Sequence, residues 1–180
     1  MIVLGVDPGF AFLGLAVVEL KATSTRLLLH ETFSTSPDQD DAVRLDTISD
    51  HLLDVIEDHA DIEAVGYEDQ AGVIACLAQG GKGISAPARR VLEVSGMIRC
   101  AARCYDLPVY AMAPTSVKVA LLGKGGGHAD KARMKRAVQK MFGLSRCSEH
   151  SADAIAIAVG AAVRHRRHLV TVQHHADLIH

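Results

Sequence analysis

The chain has 180 residues, 49% of them apolar and 22% charged, a balance typical of one compact globular domain. It contains no uninterrupted apolar run of about 18 residues, which excludes a membrane-spanning helix from the predicted elements. The net charge of −2 excludes uniform attraction to nucleic acid, but the charges are segregated: residues 1–70 hold three basic and fifteen acidic side chains, and residues 71–180 hold sixteen basic and six acidic ones. The basic part therefore either faces a polyanion or forms an ordinary solvated surface. The four cysteines form no C-x-x-C pair, which predicts buried, reduced thiols in a cytoplasmic protein.

Three strands are predicted at the start of the chain. The apolar run of residues 1–7 is interrupted by Pro8 and Gly9, so a buried strand should end at Asp7. Residues 11–19 and 26–33 predict two further strands, and the short connections favour an antiparallel meander.

Helices then alternate with two more predicted strands. Ser36 and Pro37 have the character of an N-cap and a first helical residue, so the first helix should begin there. A fourth strand should end at Glu68 and a fifth should cover residues 107–111. The remaining predicted helices occupy about residues 86–104, 114–122, 129–142 and 149–164. Together these elements predict an α/β fold with a mixed five-stranded sheet flanked by helices.

Acidic side chains recur at the ends of these elements. Asp7 and Glu68 each follow an apolar strand, and parallel neighbouring strands would bring their carboxylates close together. His150 and Asp153 lie three residues apart on one face of the last helix, which is rich in small residues and can therefore pack close to the sheet. Like charges at short range need a counter-ion, and hard divalent cations bind oxygen ligands. The chemistry that uses such a set is two-metal phosphodiester hydrolysis.

Each acidic residue also has an ordinary structural explanation. Asp7 before Pro-Gly suits a turn, and Glu68 suits the end of a strand. Glu149 is best explained by the dipole at the start of a helix. The basic residues of 131–140 could form a solvated helix face. All of these explanations holding together is less probable than any one alone, which favours the metal-centred interpretation.

At this point the sequence resembles the RuvC-type Holliday junction resolvases of the ribonuclease H-like superfamily. The motifs that carry the resemblance are residues 4–9 (Leu-Gly-Val-Asp-Pro-Gly), 65–70 (Val-Gly-Tyr-Glu-Asp-Gln) and 150–158, with lysines at Lys118 and Lys131. The resemblance covers residues 1–165 in the family's order, so these residues are expected to form the nuclease domain and residues 166–180 a flexible C-terminal tail.

The resemblance implies a set of site residues and ligands. The expected metal ligands are Asp7, Glu68, His150 and Asp153, which bind two Mg²⁺ ions, with Mn²⁺ also compatible because imidazole is a softer ligand than carboxylate. Lys118 and Lys131 complete the implied catalytic set through contacts to phosphates. Together with the basic residues of the second half, the expected DNA-binding residues are Arg89, Arg90, Lys118, Lys124, Lys131 and Arg133. Only 4% of residues are aromatic, which disfavours a base-stacking platform and predicts recognition of backbone and shape.

The implied activity is that of a crossover junction endodeoxyribonuclease, which makes paired symmetric nicks in four-way DNA as a homodimer and leaves 5′ phosphates. Branch-migration machinery is a candidate partner. One departure concerns residues 71–77, where the family often has an aromatic wedge and this chain offers only apolar residues such as Ile74 and Leu77. Another concerns Leu92 and Glu93, which differ from the family's tendency on the helix expected to form the dimer.

Three alternatives remain at the level of sequence. They are a nuclease of the same fold that acts on other branched DNA or on an RNA–DNA hybrid, a junction-binding module that does not cleave, and an actin-like ATP-binding domain. The last needs two such domains and therefore a longer chain.

Overall fold

The computed structural model describes residues 1–70 and 83–177, with side chains described as far as residue 171. These residues form a mixed five-stranded sheet of order β3-β2-β1-β4-β5, which confirms the predicted fold class. The strands are β1 (Ile2–Asp7), β2 (Phe12–Leu20), β3 (Thr25–Ser34), β4 (Ile62–Glu68) and β5 (Val109–Met112). The helices are α1 (Asp41–Asp58), α2 (Ala86–Cys104), α3 (Pro114–Leu122), α4 (Lys131–Phe142) and α5 (Glu149–Asp177), with a 3₁₀ turn at Gly126–His128.

Strand directions follow from the lengths of the connections. The short turns after β1 and β2 pair these strands and β3 in an antiparallel meander, as predicted. The longer connections through α1 and α2 return the chain in the same direction, so β4 pairs parallel to β1 and β5 parallel to β4.

Alternating side chains of the sheet fill two cores. Leu4 and Val6 of β1 pack with Ile48 of α1 and Ile98 of α2 on one face. Val3 faces the opposite way, into a core that α3, α4 and α5 cover. The central strand is thus buried on both faces, which explains its nearly continuous apolar sequence.

The predicted start of the first helix was wrong. Ser36 begins a turn, in which the Gln39 N–H donates to the Ser36 carbonyl at 3.3 Å. Helix α1 begins at Asp41, and Asp40 is its N-cap because its carboxylate accepts from the Ala42 N–H at 2.8 Å. A charged acceptor at this position is stabilised both by the free N–H groups and by the helix dipole.

The predicted end of the last helix, near residue 164, was also too early, because α5 continues to Asp177. His165 is buried, and its Nδ1 lies 2.9 Å from the Tyr110 hydroxyl of β5. The Arg164 guanidinium donates to the Ala111 carbonyl at 2.8 Å. These contacts anchor the helix beyond its alanine-rich part, and the sequence that follows has no glycine or proline to end it.

Two further expectations concern surfaces. Cys100 and Cys104 are exposed, so the prediction of buried thiols was wrong for this pair, whose side chains extend from the outer face of α2. No helix among residues 1–70 and 83–177 is both long and apolar enough to cross a membrane. The apolar substitutes for an aromatic wedge, Ile74 and Leu77, lie outside the described residues.

Candidate nuclease active site

The pairing of β1 with β4 brings two acids to the same edge of the sheet. The two strands are parallel, and the pairing runs in register from Val3 with Ala64 to Val6 with Tyr67. Asp7 and Glu68 are the next residues on each strand, so both side chains emerge at the carboxyl ends of adjacent strands. The expected proximity of these two acids is confirmed, since they line the same cavity.

Glycines on the sheet allow α5 to approach it at backbone distance. A Cβ atom at Gly5 would lie 2.2 Å from the Ala154 carbonyl oxygen, and one at Gly14 would lie 2.2 Å from the carbonyl oxygen of His150. Both distances are far below van der Waals contact, so only glycine fits at these positions. The close approach places the first turns of α5 directly above Asp7.

The start of α5 places His150 against Asp7. The His150 Nδ1 atom lies 2.8 Å from the Asp7 carboxylate, at hydrogen-bond distance. The imidazole also stacks on the ring of Phe12, with centroids 5.6 Å apart and an angle of 19° between the planes. His150 is therefore oriented by β1 through a hydrogen bond and by β2 through a stacked ring.

The four predicted metal ligands and the two predicted lysines line one cavity of about 330 Å³. Lys131, at the start of α4, has its ammonium 3.9 Å from an Asp153 carboxylate oxygen and 4.0 Å from one of Glu149. Its side chain is 76% exposed, which leaves it free to exchange these weak pairs for a phosphate. The cavity residues are Asp7, Glu68, Pro114, Val117, Lys118, Lys131, Met134, His150, Asp153 and Ile157.

The carboxyl groups of this cavity have raised pKa values. Burial is the main cause of the raised pKa of Asp7, and the hydrogen bond and charge of His150 oppose it. Burial also raises the pKa of Glu68 and Asp153, and the negative charge of Asp7 raises each of them further. The charge of Lys131 lowers the pKa of all three acids but offsets only part of the increase caused by burial. The ionised forms of these three carboxylates are therefore disfavoured, chiefly by burial and, in Glu68 and Asp153, also by repulsion from Asp7.

This charge distribution suits a divalent cation. Among residues 1–70 and 83–177, no group of three or more His, Cys, Asp or Glu side chains is already gathered closely enough to hold an ion. The donors nevertheless face one cavity, and hard carboxylate oxygens with one imidazole are ligands that Mg²⁺ or Mn²⁺ accepts. The repulsion that raises the pKa of Glu68 and Asp153 is the interaction that a bound cation would remove. The residues present thus fit a metal centre.

The other predicted DNA-binding residues lie outside the cavity. Arg89, Lys124 and Arg133 are exposed. Arg90 is engaged within the protein, since its guanidinium pairs with Asp41 at 2.6 Å and lies 5.0 Å from the centre of the Phe10 ring.

Two contributions to the site were missed at the level of sequence. Gly5, Gly14 and Gly66 admit α5, and their signal was the presence of glycine inside otherwise apolar strands. Phe12, which stacks on His150, was interpreted only as part of a strand, because it is the exposed first residue of a strand whose next six residues are buried and no local pattern marks it.

The fold and the site define the class: a ribonuclease H-like protein with an acidic centre at the ends of two parallel strands. The solved structure of RuvC from Thermus thermophilus matches with a TM-score of 0.75 at 35% identity, covering 93% of this chain and 96% of that one. RuvC from the same organism in complex with a Holliday junction substrate matches with a TM-score of 0.76 at 34% identity, with the same coverage.

Sequence comparison leads to the family itself. The family model of crossover junction endodeoxyribonuclease RuvC matches residues 3–161, and the chain belongs to that family. The curated enzyme of T. thermophilus is 35% identical over 164 residues, which cover 88% of this chain and 92% of the relative. The enzyme of Moorella thermoacetica is 32% identical over 165 residues, covering 88% and 89%. The chain is therefore a nuclease of the metal-dependent family that resolves Holliday junctions.

Proposed function

We propose that this chain resolves four-way DNA junctions by paired symmetric nicks, through two-metal hydrolysis that leaves 5′ phosphates. The observation that carries the proposal is the single cavity in which Asp7, Glu68, His150 and Asp153 meet Lys118 and Lys131. The relative solved with a Holliday junction substrate supports the choice of substrate.

Asp7, Glu68, His150 and Asp153 would hold two Mg²⁺ ions, or Mn²⁺. Bound ions would lower the pKa of the attacking water and stabilise the leaving 3′ oxygen. The His150 Nδ1 and one Asp7 oxygen engage each other at 2.8 Å, so the His150 Nε2 and the second Asp7 oxygen would bind an ion without breaking this hydrogen bond. Ion binding uses the ionised form of the three acids, which burial disfavours in each of them and the charge of Asp7 disfavours further in Glu68 and Asp153 by raising their pKa values.

The cationic residues are assigned to the DNA backbone. Lys131 and Lys118 line the cavity and would bind the phosphates next to the cleaved bond. Further contacts to phosphates along the duplex arms of the junction would come from the exposed residues Arg89, Lys124 and Arg133. Arg90 joins them only if it leaves Asp41.

A homodimer is the assembly proposed for this activity, because two-fold symmetry matches a junction that is cut at two equivalent positions. Branch-migration machinery is the proposed partner and the cytoplasm the proposed location. The division into a nuclease domain of residues 1–165 and a tail of residues 166–180 is also retained as a proposal.

The test is cleavage of a synthetic four-way junction with end-labelled strands in Mg²⁺ or Mn²⁺. Wild-type protein should produce symmetric nicks with 5′ phosphates, and Asp7→Asn should abolish them while junction binding persists. Asp46→Asn is the matched control, because Asp46 is an exposed residue of α1 that does not line the cavity. A flap, a duplex and an RNA–DNA hybrid complete the substrate panel. Tight junction binding with no divalent-dependent nicking by the wild type would instead identify a binding module.

A further inference from the structure

A second pocket adjoins the catalytic cavity. It measures about 280 Å³ and lies between the β1–β2 turn and the start of α2. Its walls are largely apolar and include Phe10, Phe12, Pro87 and Val91. His150 lines both this pocket and the catalytic cavity, so the two spaces are neighbours across a single imidazole ring.

Phe12 presents an aromatic ring to solvent at this boundary. Its relative exposure is 51%, although it belongs to a strand whose next six residues are buried. The ring stacks on His150, and Phe12 also lines the pocket. An exposed phenyl ring beside a centre that handles phosphodiesters is well suited to stack on a nucleobase, since every base has a π-face.

The turn that carries Phe12 is held rigidly. A Cβ atom at Gly9 would lie 2.0 Å from the Phe12 carbonyl oxygen, so the turn folds back on itself at a distance that only glycine allows. Thr35 fixes the same turn twice: its N–H donates to the Ala11 carbonyl at 3.1 Å, and its hydroxyl donates to the Phe10 carbonyl at 2.7 Å. The ring is therefore preorganised, which lowers the entropic cost of stacking on a ligand.

Cationic groups stand behind the apolar walls. The Arg44 and Arg90 guanidinium groups lie 4.1 and 5.0 Å from the centre of the Phe10 ring, and both residues line the pocket. Asp41 pairs with both guanidinium groups, so this apolar slot suits the aromatic base of a nucleotide, while the phosphate of that nucleotide would lie in the catalytic cavity beside it.

We propose that Phe12 and this pocket form a nucleobase-binding subsite, which receives an unstacked base next to the phosphate that is cleaved. The subsite rests on the proposed function and specifies which part of the substrate the chain holds. The aromatic contact to the base would come from Phe12, which directly follows the β1–β2 turn. Stacking dominates, so binding should tolerate purines and pyrimidines alike.

The test combines substitutions in the protein with removal of a base from the substrate, as in a double-mutant cycle. Junctions carry either a normal nucleotide or an abasic one on each side of the cleaved bond, and single-turnover cleavage is measured with wild type, Phe12→Tyr and Phe12→Ala. Phe12→Ala should slow cleavage of the normal junction about tenfold, as expected for the loss of one stacked base. It should have little further effect on the junction that is abasic at the stacked position, while Phe12→Tyr stays near wild type. Tyr105→Ala removes a ring that is 38% exposed and lines neither pocket, so it serves as the control.

Equal slowing of normal and abasic junctions by Phe12→Ala would overturn the subsite, because Phe12 would then act only by orienting His150. A binding assay separates this failure from failure of the proposed function. Junctions with 2-aminopurine beside the cleaved bond are titrated without divalent ions, where stacking on Phe12 should change the fluorescence with wild type but not with Phe12→Ala. If the wild type binds but does not nick, this Phe12-dependent signal would still support the subsite. Nicking with identical signals from both proteins would overturn the subsite alone, and neither nicking nor signal would overturn both proposals.

Discussion

Substitution of Gly14 by alanine should damage the active site without touching a charged group. The added Cβ would lie 2.2 Å from the His150 carbonyl oxygen and 3.0 Å from the Asp7 Cβ, where ordinary contact begins at 3.4 Å. The start of α5 would have to retreat by about 1 Å, and a misplacement of that size can cost on the order of a hundredfold in rate. Overpacking of this kind typically destabilises by about 1–3 kcal/mol, which corresponds to a fall in Tm of about 2–4 °C for each kcal/mol.

Two other glycines make this prediction specific. Gly66→Ala would place its Cβ 2.4 Å from that of Ala161, three turns farther along α5, so it should reduce stability with a smaller loss of rate. Gly96 lies within α2 with no atom within 4 Å of its added Cβ, so Gly96→Ala should stabilise by about 0.5–1 kcal/mol. Thermal unfolding and single-turnover junction cleavage are measured for all three variants. Wild-type stability and cleavage in Gly14→Ala would refute the idea that close helix–sheet contact positions His150.

Three further predictions concern the surroundings of the centre. Thr35→Val removes a hydroxyl that donates to one carbonyl and accepts from the Arg44 Nε at 2.9 Å, so it should destabilise by about 1–3 kcal/mol in chemical denaturation. Thr47→Val, at an exposed helical hydroxyl, should stay within about 0.5 kcal/mol, and equal losses in both variants would contradict the assigned role. Asp153→Asn removes an acid whose pKa is raised in the folded state. The stability that such a group contributes is present below its unfolded pKa of about 4 and is lost as the pH rises through the higher folded pKa. The gain in Tm of the variant over wild type, measured in EDTA, should therefore grow with pH, and a gain that shrinks with pH would refute this. Lys131→Gln removes a charge that lowers the pKa of all three acids, so the acidic limb of the pH–rate profile should move to higher pH, whereas Lys124→Gln should leave it in place.

The local chemistry of the sequence was sufficient to predict the sheet. The apolar run before Asp7 and its abrupt end at Pro8 require a buried strand that stops at a carboxylate, and the structure confirms this. Small residues on α5 predicted close packing for a similarly local reason. The resemblance to a known family added the pairing of these acids with Lys118 and Lys131, which local patterns alone do not supply.

What could not be predicted depends on competition between neighbours or on distant contacts. Ser36 and Asp40 are both competent N-caps, and the sequence does not show which one the chain will use. Cys100 and Cys104 occupy a helix whose buried face is set by the sheet beneath it. The role of Phe12 depends on His150, which is 138 positions away in the chain and reaches it only through the packing of α5.

The four proposed metal ligands are also spread over almost the full described length, from β1 to α5. Asp7 is made early, whereas His150 and Asp153 belong to the last helix, so a chain still emerging from the ribosome has no assembled centre. A partly unfolded molecule that has lost α5 lacks half of the donors as well. Assembly of the proposed centre is therefore tied to completion of the whole fold.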